Sequence, residues 1–125
     1  MKFLLDTNTC IDHLRQRPGS QVSQRLAATD PNEIVLCSIV VAELMFGAKR
    51  SSKPMQSLAA VQAFCARFPS LPFDDRCVDA HSDSHALLAR QGNLIGPHDL
   101  LIAAIAITHG LAVVTNNVKD RKSVV

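Results

Sequence analysis

Oxygen-bearing side chains from four distant parts of this chain stand beside or within apolar runs. Asp6 follows Lys2-Phe-Leu-Leu5 directly, and Glu43 lies roughly one turn into the helical stretch after Ile34-Val-Leu-Cys37. Asp99 lies in the first turn of an apolar helix that opens at Pro97, and Asn116 and Asn117 follow Ala112-Val-Val-Thr115. Open α/β sheets bind ligands beyond the carboxyl ends of their strands, so all four positions can meet at one edge. Three carboxylates with an amide make a hard, all-oxygen site, suited to Mg²⁺ or Mn²⁺ rather than zinc or copper. An ion held there acidifies a water and neutralises charge at phosphorus, which is the chemistry of phosphodiester cleavage. Nucleotide hydrolysis by a P-loop is excluded, because G-x-x-x-x-G-K-[ST] is absent.

Two of these acids have a simpler role available. Asp6 is well placed to cap a helix, accepting its first N–H groups. Asp99 suits the positive end of its helix dipole. Glu43 is different, because it interrupts Ile39-Val-Val-Ala-Glu-Leu-Met-Phe46 with a charge on or near a buried face. Burying a carboxylate costs several kcal/mol unless something offsets it. No Lys or Arg lies within helical reach on its N-terminal side and Gly47 occupies i+4, so a bound cation is the expected compensation.

The elements that must position these residues follow from patterning. Lys2 to Leu5 predicts a strand, stopped by the capping group Asp6-Thr-Asn8, and Cys10, Ile11 and Leu14 recur at helical spacing up to Pro18-Gly19. Ser20 caps a helix to about Ala28, Thr29-Asp-Pro-Asn32 turns, and Ile34 to Cys37 is a second buried strand. A helix opens at Ser38 with Val40, Val41, Leu44, Met45 and Ala48 on its apolar face. The Ser51-Ser-Lys-Pro54 linker leads to an amphipathic helix carrying Leu58, Val61, Phe64, Cys65 and Phe68. Leu71-Pro-Phe73 is an edge-strand candidate, Arg76 to Arg90 a helix stopped at Gly92, and Pro97 to His109 a helix stopped at Gly110. Ala112 to Thr115 completes the set as a third buried strand. Continuous apolar strands separated by helices indicate a mostly parallel sheet covered on both faces, an α/β fold of three layers, α/β/α.

Composition narrows the class. The 125 residues predict one domain over 1–125, since cores divide only at roughly twice that length. A hydrophobic content of 47% and a charged content of 19% argue for a packed core. A net charge of +2 does not by itself announce a nucleic-acid partner. The longest apolar run, Leu100 to Ile107, is far short of the ~20 residues a membrane span needs, and Asp6 cuts off any secretory core. Cys10, Cys37, Cys65 and Cys77 form no C-x-x-C pair and read as reduced core thiols, which fits the cytoplasm. Without Trp or Tyr, only five Phe are available for stacking on bases.

Other candidates carry weaker signals. His81 and His85 share a helix face at i, i+4 but lack a third zinc ligand, so a solvated face is expected. His85 or His98 near the acidic edge would be a phosphate contact. Lys49-Arg50 with Lys53, and Lys119 with Arg121-Lys122, are short basic clusters able to track a backbone, although helix ends look the same. Cys10 has no neighbouring His to activate it and reads as packing.

Four ordered motifs carry a family resemblance: Leu4-Leu-Asp-Thr-Asn8, Ser38-Ile-Val-Val-Ala-Glu-Leu-Met-Phe-Gly47, Gly96-Pro-His-Asp-Leu-Leu-Ile-Ala103 and Val114-Thr-Asn-Asn117. Over Lys2 to about Asn117 the chain resembles the PIN-domain ribonucleases, specifically the VapC-type toxins. The resemblance implies a Mg²⁺-dependent endoribonuclease leaving 3′-hydroxyl and 5′-phosphate ends, neutralised by a cognate VapB-type antitoxin through which it meets operator DNA. It places Asp6 and Asp99 as metal-binding carboxylates and Glu43 as the acid that completes the triad and positions water. The family's fourth polar position falls on Asn117, with Thr7, Asn8 and Thr115 as supports for the acids. It also implies a homodimer, with the helices around Pro54 to Phe68 as the expected contact; transfer RNA or another structured RNA is the expected substrate.

The end of the chain departs from the family pattern. Members continue through an acidic-aromatic pair and a further strand, whereas here Val118-Lys-Asp-Arg-Lys-Ser-Val-Val125 has no aromatic, so the last strand is expected to be missing and Asp120 has no assigned role. Two alternatives stand beside the nuclease reading. One is a receiver-like signalling domain, which fits poorly because Asp6 is single and no Lys follows the late strand. The other is a catalytically silent PIN fold acting through its antitoxin, against which the intact triad argues.

Overall fold

A computed structural model describes residues 1–15, 20–93 and 95–115. In chain order the elements are β1 (Phe3–Leu5), α1 (Thr7–Leu14), α2 (Gln21–Ala28), β2 (Ile34–Cys37), α3 (Ser38–Lys49), α4 (Pro54–Cys65), β3 (Ser70–Leu71), α5 (Val78–Gln91), α6 (Pro97–His109) and β4 (Ala112–Val114). Short 3-10 turns stand at Pro31–Glu33 and Asp75–Cys77.

The strands form one sheet in the order β3-β2-β1-β4, and every described pairing is parallel. Phe3 pairs with Ile34 on one side and with Ala112 on the other, so the first strand is central. Parallel neighbours require crossovers, and the helices provide them while flanking the sheet, giving the α/β/α sandwich that continuous apolar strands predict. β2 is buried along its whole length, and Leu4, Val35, Leu36, Val40 and Ile105 are fully enclosed in the core. α3 packs against α1, α4 and α6, and α5 lies along α6.

Local signals in the sequence set most of the boundaries. Ser20 caps α2 by accepting the Ser23 N–H, and Pro97 occupies the first turn of α6. Gly92 and Gly110 take left-handed conformations at φ 72° and 66° and end α5 and α6. α1 is already capped at Arg15; Pro18-Gly19 lies outside the described residues.

Three details differ from the patterning. β4 is not a buried strand: Ala112 and Val113 are exposed, because among the described residues it pairs only with β1 and forms the margin of the sheet. The edge strand β3 covers Ser70–Leu71 instead of extending to Phe73, since Pro72 has no N–H to continue the ladder. The helix expected from Arg76 begins at Val78, after a 3-10 turn whose Asp74 side chain accepts the Arg76 N–H. The Asn116, Asn117, Asp120 and Lys119 to Lys122 expectations, with the whole segment 118–125, fall outside the described residues.

Cys10, Cys37 and Cys77 are buried free thiols and Cys65 is half-buried and free. Burial pushes the thiols of Cys10, Cys37 and Cys65 upward, which suits packing and not nucleophilic chemistry. Among the described residues no helix is long and apolar enough to cross a membrane.

Candidate active site

Asp6 leaves the end of β1 in an extended conformation and caps α1, its Oδ1 accepting the Thr9 N–H at 2.8 Å. The capping role is therefore real. It engages one carboxylate oxygen, Oδ1. The neighbouring strand β4 holds this corner in place: the Asp6 N–H donates to the Val114 carbonyl at 3.1 Å, and Thr9 Oγ1 donates to the same oxygen at 3.0 Å. Asp6 is thus locked to the end of β4, where Thr115 follows in an exposed position.

Glu43 sits in the second turn of α3 with its side chain 29% exposed. Thr7, the residue after Asp6, donates its Oγ1 hydrogen to Glu43 Oε1 at 2.6 Å. His98, the residue before Asp99, brings Nδ1 to 3.2 Å from Glu43 Oε2. The compensation expected for this carboxylate is thus supplied in part by the protein itself, from two other elements, and its partial exposure lowers the cost. No reading of α3 alone could show this, since neither partner is on that helix.

The neighbours of Asp6 and of Asp99 are therefore the two groups that grip Glu43. These two contacts bring the first turns of α1 and α6 to the Glu43 side chain of α3. Asp99, in the first turn of α6, is exposed and lies 3.5 Å from where a Cβ on Gly96 would stand. Asn8 is exposed beside Thr7. Glu43 also borders a cleft of about 290 Å³ between α1, α3 and α4, walled by Ile11, Arg15, Gly47 and Val61.

Oxygen donors alone make up the acid set, which fits a hard divalent cation. Among the described residues no three His, Cys, Asp or Glu side chains stand grouped closely enough to hold a metal ion. The histidines divide. His98 belongs to the acidic edge. His85 instead packs its ring 5.9 Å from His81, whose ring meets Phe73 at 5.5 Å, so this pair is a half-exposed face of α5. The part that sequence reasoning missed is the direct contact of His98 with Glu43. Its adjacency to Asp99 was the one available signal.

The PIN domain profile matches residues 3–121, and the chain belongs to the PIN domain family. The tRNA(fMet)-specific endonuclease VapC of Salmonella typhimurium is 37% identical over 120 residues, 96% of this chain and 89% of that protein. Ribonuclease VapC2 of Rickettsia felis is 33% identical over 124 residues, 99% of this chain and 92% of that one. The crystal structure of DNA-bound VapBC from Salmonella typhimurium superposes with a TM-score of 0.88 at 36% identity, covering 98% of this chain and 91% of the other. The receiver-like alternative is set aside by this membership.

Proposed function

We propose that this chain is a metal-dependent endoribonuclease toxin of the VapC type, a single PIN domain that works in the cytoplasm and is held in check by a VapB-type antitoxin. The observation that carries the reading is the grip on Glu43 by Thr7 and His98, the sequence neighbours of Asp6 and Asp99. Relatives that are named as ribonucleases align over nearly the whole chain, and structural neighbours are toxin–antitoxin complexes, some with DNA. The antitoxin is accordingly the proposed route to operator DNA, and a homodimer of the toxin is proposed with it.

In this reading Asp6 and Asp99 hold the ion, which is Mg²⁺ or Mn²⁺, and Glu43 completes the acidic triad. The ion, when bound, neutralises charge at phosphorus and lowers the pKa of water. Glu43, fixed at both oxygens, orients the attacking water and takes its proton. The water oxygen bonds to phosphorus, the bond to the 3′ oxygen breaks, and that oxygen takes a proton from solvent water and leaves as a hydroxyl, with phosphate on the 5′ side. Thr7 positions Glu43; Asn8 and Thr115, with Asn117 beyond the described residues, support the polar edge. The substrate class is structured RNA, with transfer RNA as the first to try.

The test incubates the purified chain and its Asp6→Ala variant with transfer RNA and with total cellular RNA, in Mg²⁺, in Mn²⁺ and in EDTA. Discrete cleavage lost both in EDTA and in the variant is the expected result. Cleavage that survives either change overturns the metal-dependent triad.

A further inference from the structure

On α3, Ile39, Glu43, Phe46 and Arg50 recur at spacings of four, three and four residues, which places them along one stripe of the helix. Phe46 stands one turn beyond Glu43 and is 61% exposed. The other phenylalanines are committed elsewhere: Phe64 and Phe68 are buried in the core, and Phe3 and Phe73 are half-buried. Phe46 is therefore the one open aromatic face among the described residues, in a chain with no Trp or Tyr. The guanidinium of Arg50 lies over its ring, 5.5 Å from the centroid. Lys49 and Lys53, a few residues along the chain, are exposed. The adjoining surface is open, since a Cβ on Gly47 would meet nothing within 4 Å.

A large apolar ring left in water one turn from Glu43 and under a cation does nothing for the core. It matches instead a ligand with an apolar face and a negative backbone. We infer that Phe46 and Arg50 form a nucleotide subsite beside the acidic edge. An unpaired base next to the scissile phosphate stacks on Phe46, and Arg50 takes the neighbouring backbone phosphate. Every base has a π-face, so the subsite favours an unstacked, looped-out nucleotide without reading its identity. Guanidinium groups serve both halves of this role, stacking through their plane and donating through their edge. The inference rests on the endoribonuclease reading above.

The experiment measures steady-state cleavage of total cellular transfer RNA in Mg²⁺ by the parent chain and by Phe46→Ala, Phe46→Trp and Arg50→Gln, with thermal unfolding as a folding control. Stacking losses of the usual size raise KM for Phe46→Ala by roughly tenfold, with a much smaller change in kcat, and Phe46→Trp restores it. Arg50→Gln raises KM and lowers the slope of log KM against log salt by about 0.7. A parent-like KM for Phe46→Ala, or a Phe46→Trp no better than alanine, overturns the subsite while leaving the nuclease reading intact. Loss of antitoxin capture by Phe46→Ala with KM unchanged overturns it in favour of a protein contact. A parent chain that cuts no RNA overturns the nuclease reading, and the subsite with it.

Discussion

His98 Nδ1 and Glu43 Oε2 lie 3.2 Å apart, joining the first turn of α6 to the second turn of α3. With Thr7 on the opposite oxygen at 2.6 Å, the carboxylate is held from both sides. Hydrogen bonds to a charged group are worth about 1.5–3 kcal/mol, so losing either grip lowers kcat by roughly ten- to a hundredfold. Single-turnover cleavage by Thr7→Val and His98→Ala checks this. His98→Asn, whose amide can reach the place of Nδ1, retains more activity than His98→Ala. An alanine variant as fast as the parent would show the contact to be idle.

Asp6 combines two roles that substitution can separate. Asp6→Asn keeps a side-chain oxygen for the Thr9 N–H but removes the charge, so it unfolds in urea close to the parent while cleavage is abolished. Asp6→Ala also loses the cap, and its stability falls by about 1 kcal/mol. Equal stability of the two variants would mean that the cap contributes nothing.

His13 gives the fold a pH dependence. It joins α1 to α2 and α4, with Nδ1 2.9 Å from Ser23 Oγ and its ring centroid 5.3 Å from that of Phe64. Burial and then the Arg67 charge hold its pKa below the ordinary 6.5, with Asp12 opposing. The unfolded imidazole therefore takes up a proton first as pH falls. Its contribution is complete above the ordinary value and is lost as pH drops through that value toward the lower folded one. Thermal unfolding between about pH 7.5 and pH 5.5 should show a steeper decline for the parent than for His13→Gln. Parallel declines would assign the pH dependence to other groups.

Thiol labelling reports on the core. Cys10, Cys37 and Cys77 are buried and Cys65 is half-buried. In the native protein an aromatic disulfide reagent should modify Cys65 alone, and slowly, with the other three released only on unfolding. Fast native labelling of more than one thiol would show that the core opens readily.

Much of the architecture was legible because local chemistry decides it. Ser20, Pro97, Gly92 and Gly110 mark helix ends by capping, by first-turn preference and by left-handed freedom, and Ile34 to Cys37 is apolar throughout because both its faces are covered. What escaped depends on partners distant in sequence. Val113 is as apolar as Val35, yet its exposure follows from its place at the margin of the described sheet. The site divides the same way. Asp6 stands out as following a strand, Glu43 as interrupting an apolar face and Asp99 as an acid in the first turn of an apolar helix. The grip on Glu43 arises only when α1, α3 and α6 converge.

The placement of β1 between β2 and β4 ties assembly of the acidic edge to synthesis. Thr9 and Val114, 105 positions apart, are joined by a hydrogen bond, and the Asp6 N–H shares the same acceptor. Such distant pairings form late, because a long loop must close before the contact can repay its entropy. A nascent chain carries Asp6 from the start but cannot dock it until β4 has left the ribosome. An incomplete product of translation thus lacks the assembled edge, and the cell meets the finished site only after Val114 has been made.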